Sequence, residues 1–196
     1  MEKELPDVFF KICIFGDGGV GKTSLVNKYL TGIFIDETKM TIGVDFNTKL
    51  IEIESKKVVL QIWDFAGENH FRFFLPSYVR GASGAIFLYD LTREASLRHL
   101  PDWLDVLQEG LDRNIPLIMA GNKLDLKHKR VIPPDIALEI AEGNDFYGFI
   151  ECSAKTGQNI EITFKTLANV MMENANLLTH NLNKRKNKKY YLFKNP

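Results

Sequence analysis

The residues best equipped for chemistry are Gly16-Asp17-Gly18-Gly19-Val20-Gly21-Lys22-Thr23-Ser24. Their spacing fits G-x-x-x-x-G-K-[ST] at Gly16, Gly21, Lys22 and Thr23, a pattern suited to gripping phosphate. Backbone N–H groups close around phosphate oxygens only where no Cβ holds them off, which Gly18, Gly19 and Gly21 allow. A helix starting near Lys22 aims its unpaired N–H groups and positive dipole end at the same anion. Lys22 adds a point charge for the β- and γ-phosphates, and the Thr23 hydroxyl is placed to ligate Mg²⁺. Without its flanks the string would be only a glycine-rich turn. Here an apolar run over 8–15 reads as a buried strand before it, and residues 22–30 read as a helix after it.

The remaining chain must position that loop. Residues 31–41 lack periodicity and read as a loop. A strand from 42 to about 54, a turn at Ser55-Lys56-Lys57 and a strand over 58–64 make a hairpin. Alternation slips near Leu50, which predicts a bulge there. Phe65-Ala66-Gly67-Glu68-Asn69 reads as a loop, 71–79 as a short helix and 84–90 as a continuous apolar strand. Leu97, Leu100, Leu104 and Leu107 predict one helix over 94–109. Residues 115–121 form another buried strand, ending in Asn122-Lys123-Leu124-Asp125. A helix over 134–142 and a strand over 146–151 lead to Ser153-Ala154-Lys155. The last helix places Ile160, Phe164, Leu167 and Met171 on one face. Helices alternating with apolar strands predict an α/β architecture: a mainly parallel sheet covered on both sides, with the hairpin as an antiparallel edge. Ligands of such sheets bind at strand carboxyl ends. The loops 16–23, 64–67, 122–125 and 153–155 all leave such ends, so they are expected on one rim.

Composition fits this plan. With 196 residues, 45% apolar and 26% charged, the chain suits one globular domain, expected over 8–180, plus a tail over 181–196. No run approaches the roughly 18 apolar residues of a membrane span. The polar start predicts neither a secretory signal nor myristoylation. Cys13 and Cys152 are expected as core residues in a reducing compartment, and the four histidines lack zinc spacing. The net charge is zero, but every charged residue from Lys184 onward is basic. The body is therefore acidic, which argues against nucleic acid as a partner.

With these loops in place, the chain resembles the small GTPases of the Ras superfamily, closest to the Rab branch, over roughly residues 8–175. The resemblance rests on GDGGVGKTS, Thr41 within MTIGVDF, LQIWDFAG, NKLD and ECSAK, with IGVDF and SYVRGA tilting it toward Rab. It implies a P-loop NTPase three-layer sandwich with a six-stranded, mostly parallel sheet, one antiparallel edge strand and about five helices. It further implies a switch that binds GTP and GDP with Mg²⁺ and hydrolyses GTP slowly. Gly18, Gly19, Val20, Gly21, Lys22, Thr23 and Ser24 would hold the phosphates. Thr23, Thr41 and, through water, Asp64 would serve Mg²⁺, while the Gly67 N–H would meet the γ-phosphate. Asp125 would read the guanine edge, Asn122 would brace the loop, Lys123 and Phe34 would lie against the base. Ala154, between Ser153 and Lys155, would give its N–H to the guanine oxygen. A site built for hydrogen bonds rejects a ligand lacking them. Lys22, Thr41, Gly67 and Glu68 are the residues expected to act in hydrolysis.

Departures from the family pattern are Glu68, Thr38 and the tail. Glu68 stands where a Gln usually orients the attacking water. A carboxylate can accept a proton, yet negative charge beside a triphosphate disfavours its ionised form. A nucleotide-bound scaffold with little hydrolysis is therefore the alternative, and an ATP-using P-loop enzyme is a rival that NKLD opposes. Thr38 replaces a tyrosine that closes over the phosphates in many relatives. No cysteine follows Cys152, so prenylation is not expected on this chain. The basic, aromatic tail reads first as solvated and disordered, and second as a weak peripheral membrane contact. The expectation is thus a cytoplasmic monomer, peripheral to membranes at most. Effector, exchange and GTPase-activating partners follow by analogy.

Overall fold

A computed structural model describes residues 5–35, 41–67, 74–177 and 190–192. The strands are β1 (Val8–Phe15), β2 (Val44–Ile53), β3 (Lys56–Phe65), β4 (Gly84–Asp90), β5 (Leu117–Asn122), β6 (Gly148–Glu151) and β7 (Tyr190–Leu192). The helices are α1 (Lys22–Thr31), α2 (Leu75–Val79), α3 (Glu94–Arg98), α4 (Leu100–Gly110), α5 (Pro134–Gly143) and α6 (Ile160–Asn174), with a 3-10 helix at Leu124–Lys129. Strand order is β2-β3-β1-β4-β5-β6-β7, and every pairing is parallel except β2 with β3.

Both faces of β1 are covered from Ile12 to Phe15, which is why that half of the strand is apolar without interruption. Phe10, Ile12 and Ile14 join the core beneath α1 and α6. Cys13 and Phe15 join the core beneath α2 to α5. The four apolar residues expected on one face of the last helix, Ile160, Phe164, Leu167 and Met171, are all buried in the first core. The α/β three-layer sandwich is as expected, with β1 to β6 as its six strands and β2 as the antiparallel edge.

The structure differs from the sequence expectations in four places. The β2–β3 register runs unbroken from Val44↔Phe65 to Ile53↔Lys56, so there is no bulge at Leu50. Leu50 is simply a solvent-exposed residue of an edge strand, where apolar alternation is weakly enforced. The hairpin turn is Glu54-Ser55, both with positive φ (47° and 66°), the pattern of a two-residue type I′ turn. Lys56 and Lys57 belong to β3. The helix expected over 94–109 is two helices, because Pro101 in the first turn of α4 has no N–H for the Leu97 carbonyl. All four of its leucines are nevertheless buried, and the α-helices described number six rather than about five. Lastly, Tyr190–Leu192, within the segment expected as a disordered tail, pairs with Gly148–Ile150 as a seventh strand. A Tyr-Tyr-Leu segment is strand-prone, and β6 offers it a sheet edge. Basic neighbours hid that propensity in the sequence. Among the described residues, no helix is long and apolar enough to cross a membrane.

Candidate functional site

The loops leaving β1, β3, β5 and β6 meet on one rim and bond to one another. The loop after β1 folds back on its own lysine. Lys22 is almost fully buried, and its Nζ donates to the carbonyls of Gly16 and Asp17, both at 2.8 Å. These bonds hold the ammonium inside the loop, next to the N-terminus of α1. Val20 and Ser24 are buried under the loop. Gly21 has φ +94°, and a Cβ there would lie 2.5 Å from the Asn122 amide nitrogen. That glycine is required by the neighbouring loop as much as by phosphate approach. Gly19 faces the Arg93 guanidinium.

The loop after β3 lies directly on the first. The Gly18 N–H donates to the Gly67 carbonyl at 3.1 Å, and a Cβ on Gly67 would stand 2.2 Å from Gly18 N. Only glycine permits that approach. Thr23 Oγ1 donates to Asp64 Oδ2 at 2.5 Å and lies 2.8 Å from Thr41 Oγ1. Asp64 is buried, and its Oδ1 has no hydrogen-bond partner among the described residues. Burial pushes its carboxyl up to about 6, against the lowering effects of the Thr23 hydroxyl and Lys22 charge. An orphaned carboxylate oxygen beside two hydroxyls is a hard, oxygen-only donor set, which fits Mg²⁺. Among the described residues no cluster of three or more His, Cys, Asp or Glu could hold a metal. Mg²⁺ commonly keeps several waters and takes only one or two protein carboxylates.

At the other end of the rim, Asn122 is buried and spans two loops. Its Nδ2 donates to the Val20 carbonyl at 2.8 Å, and its Oδ1 accepts from the Ala154 N–H at 2.9 Å. That N–H, expected to face a guanine oxygen, is thus turned to Asn122 in this structure, since a buried N–H takes the partner within reach. The Ser153 hydroxyl donates to Asp125 Oδ1 at 2.5 Å, steadying the carboxylate. Lys123 has positive φ (68°) and its ammonium sits 2.6 Å from Asp90 Oδ2. Burial alone would raise the Asp90 carboxyl, but its bonds to Lys123 and Thr92 outweigh this and leave it below its ordinary value. Lys155 is exposed at the loop's end. Phe34 packs half-buried against the core beneath α1 and α6. Glu68, Thr38 and the basic cluster 184–189 lie outside the described residues.

Some participants were not legible in the sequence. Asp17 is gripped by α4 and the residue before it: Trp103 Nε1 donates to Oδ1 at 2.9 Å, and His99 Nδ1 lies 2.8 Å from Oδ2. Arg93 Nη2 donates to the Gly18 carbonyl at 2.6 Å. These contacts span more than seventy residues, so no local pattern signals them. Away from the rim, Phe46, Trp63 and Tyr78 make an aromatic cluster with ring centroids 5.2 and 6.0 Å apart. Phe46 and Tyr78 remain 49% and 41% exposed, and Lys11 Nζ stands 4.3 Å over the Trp63 ring.

Comparison with known proteins agrees with this geometry. The model of the Ras family matches residues 11–173. The human Ras-related protein Rab-30 is 41% identical over 184 residues, covering 93% of this chain and 90% of its own. Ras-related protein RABA4b of Arabidopsis thaliana is 39% identical over 170 residues, covering 87% of this chain and 75% of its own. Ras-related protein Rab-11A of Dictyostelium discoideum is 40% identical over 161 residues, 82% of this chain and 75% of its own. A phosphate-gripping loop, an Mg²⁺-compatible oxygen set and a braced NKLD loop on one rim, in a chain this similar to Rab proteins, lead to one conclusion: the chain belongs to the Ras family, as a Rab-like small GTPase.

Proposed function

We propose that this chain is a guanine-nucleotide switch that binds GTP and GDP with Mg²⁺ and hydrolyses GTP slowly. The observation that supports this most is the Thr23–Asp64–Thr41 junction beside the Lys22 loop. It joins the phosphate loop to both segments that a γ-phosphate would order. Lys22 is held in place by two carbonyls, so its charge needs little reorganisation to meet the β- and γ-phosphates. Mg²⁺, when bound, neutralises charge developing between those phosphates. Thr23 and Thr41 would hold it through their hydroxyls, and Asp64 would act on it through water. Gly67, in contact with Gly18, presents its N–H to the γ-phosphate. Loss of that phosphate removes the partners of Thr41 and Gly67 and frees both segments, which is the order–disorder switch.

Asp125, steadied by Ser153, selects guanine over adenine, while Asn122 couples its loop to Val20 and Ala154. Glu68 follows the D-x-x-G element and is assigned to orient or deprotonate water, at a low rate. The second reading, a nucleotide-bound scaffold without turnover, is favoured by that same residue, since a carboxylate repels the triphosphate. The exposed Phe46–Trp63–Tyr78 cluster is assigned as the surface read by an effector. Exchange and GTPase-activating proteins set the timing, and the basic tail contributes a weak peripheral contact with anionic membrane. Competition between GDP and ATP, followed by single-turnover GTP hydrolysis, tests the proposal. Equal affinity for adenine and guanine nucleotides overturns it, and guanine binding without phosphate release selects the scaffold.

A further inference from the structure

Arg93 stands where a positive charge could act on the reaction. Its backbone is locked: Arg93 N–H donates to the Asp90 carbonyl at 2.9 Å. Its own carbonyl accepts from Ser96 N–H at 3.1 Å and from Ser96 Oγ at 2.6 Å. The helix it opens, α3, is held to the phosphate loop beyond Arg93 itself, because His99 at the α3–α4 junction and Trp103 in α4 grip Asp17. The tip of Arg93 is different. Nη2 reaches the Gly18 carbonyl through a solvent-exposed bond of 2.6 Å, and a Cβ on Gly19 would lie 3.8 Å from Nη1. Water competes for such a bond, so it is weakly held.

Gly18 marks one particular end of the loop. Its N–H is bonded to Gly67, the glycine assigned to the γ-phosphate, three residues after Asp64, which bonds Thr23. A guanidinium on a firm base thus rests on the carbonyl of Gly18, the residue whose N–H is bonded to Gly67. We infer that Arg93 is a catalytic residue of this chain, an arginine supplied in cis that leaves Gly18 and contacts the γ-phosphate and the β–γ bridging oxygen. This rests on the GTP hydrolysis proposed above. In that reaction a water oxygen bonds to Pγ, the bond from Pγ to the bridging oxygen breaks, and negative charge accumulates on GDP. The water's proton ends on phosphate or solvent. Arg93 gains and loses no proton; its two N–H groups stabilise charge where it develops.

The test compares the parent with Arg93→Ala, Arg93→Lys and Arg98→Ala in the full chain. Arg98 is on the same helix but pairs with Glu94 at 3.1 Å, so it controls for net charge. The readouts are GDP affinity, single-turnover GTP hydrolysis, and capture of aluminium fluoride by the GDP form, read by a fluorescent GDP. Arg93→Ala should hydrolyse GTP at least about 10-fold more slowly, given what an arginine contributes in this chemistry. It should lose aluminium fluoride capture and keep GDP affinity within about 2-fold, as expected when only transition-state contacts are removed. Arg93→Lys should restore part of the rate, and Arg98→Ala should match the parent. An unchanged rate in Arg93→Ala overturns the inference, as does an equal loss of GDP and GTP affinity with the rate of bound GTP preserved. That second pattern is a loop brace. If the parent binds GTP without cleaving it, the proposed turnover fails separately. Fluoride capture by the parent but not by Arg93→Ala then still supports Arg93, and capture by neither overturns it.

Discussion

Asn122→Ala separates a brace from a ligand contact. In the structure the side chain is 1% exposed and makes one bond to the Val20 carbonyl at 2.8 Å and one to the Ala154 N–H at 2.9 Å. Truncation leaves both backbone groups buried without their partner. Each such orphan costs about 1–3 kcal/mol, so the pair costs roughly 2–6 kcal/mol before any water enters. For a domain of this size, about 2–4 °C of Tm accompanies each kcal/mol, giving a fall of roughly 4–24 °C. The assay is thermal unfolding of nucleotide-free protein, followed by a GDP titration. Because the loss is in the protein itself, most of the Tm difference should be present with no nucleotide. Saturating GDP then raises both proteins according to their affinities. A variant that melts within about 2 °C of the parent when empty, yet binds GDP far more weakly, would refute the reasoning. Asn122 would then act on the ligand and not on the loops.

Gly67→Ala places a Cβ 2.2 Å from Gly18 N, so the two loops must part. Single-turnover hydrolysis should fall by about 100-fold, the scale of a 1 Å misplacement, with GDP still bound. Arg130→Met removes both bonds to the buried Glu151 carboxylate, at 2.5 and 2.7 Å. Stranding that carboxylate should cost about 3–5 kcal/mol, measured by denaturant unfolding. Burial pushes the thiols of Cys13 and Cys152 from 9.0 up to about 12. Above pH 9 the unfolded chain therefore loses these protons while the folded chain keeps them, and stability falls as pH rises. Between pH 8 and 10 the two thiols together should account for about 3 kcal/mol. Neither should react with a thiol reagent at pH 8 until denaturant is added, whereupon both should.

What the sequence determined by itself was whatever depends on local spacing. The strand–loop–helix unit around Lys22 is encoded within some twenty-five residues. The alternation of apolar strands with helices dictated a parallel sheet, and with it the rim on which the loops meet. The same local logic placed Ile160, Phe164, Leu167 and Met171 on one buried face. It failed where burial was too slight to enforce a pattern, as at exposed Leu50 in an edge strand. It also failed where local composition concealed a pairing, as at Tyr190–Leu192 against β6.

Only the tertiary structure decided which side chains from distant segments would touch. Beyond its φ of +94°, Gly21 is also held to glycine by Asn122, about a hundred residues away. Asp17 is held by His99 and Trp103, and Arg93 is delivered to Gly18. Such contacts leave no periodicity in the chain, since the sheet's strand order, not sequence separation, sets which loops become neighbours. The position of a charge beside the phosphate loop is therefore a property of the packed sandwich and cannot be read from any one segment.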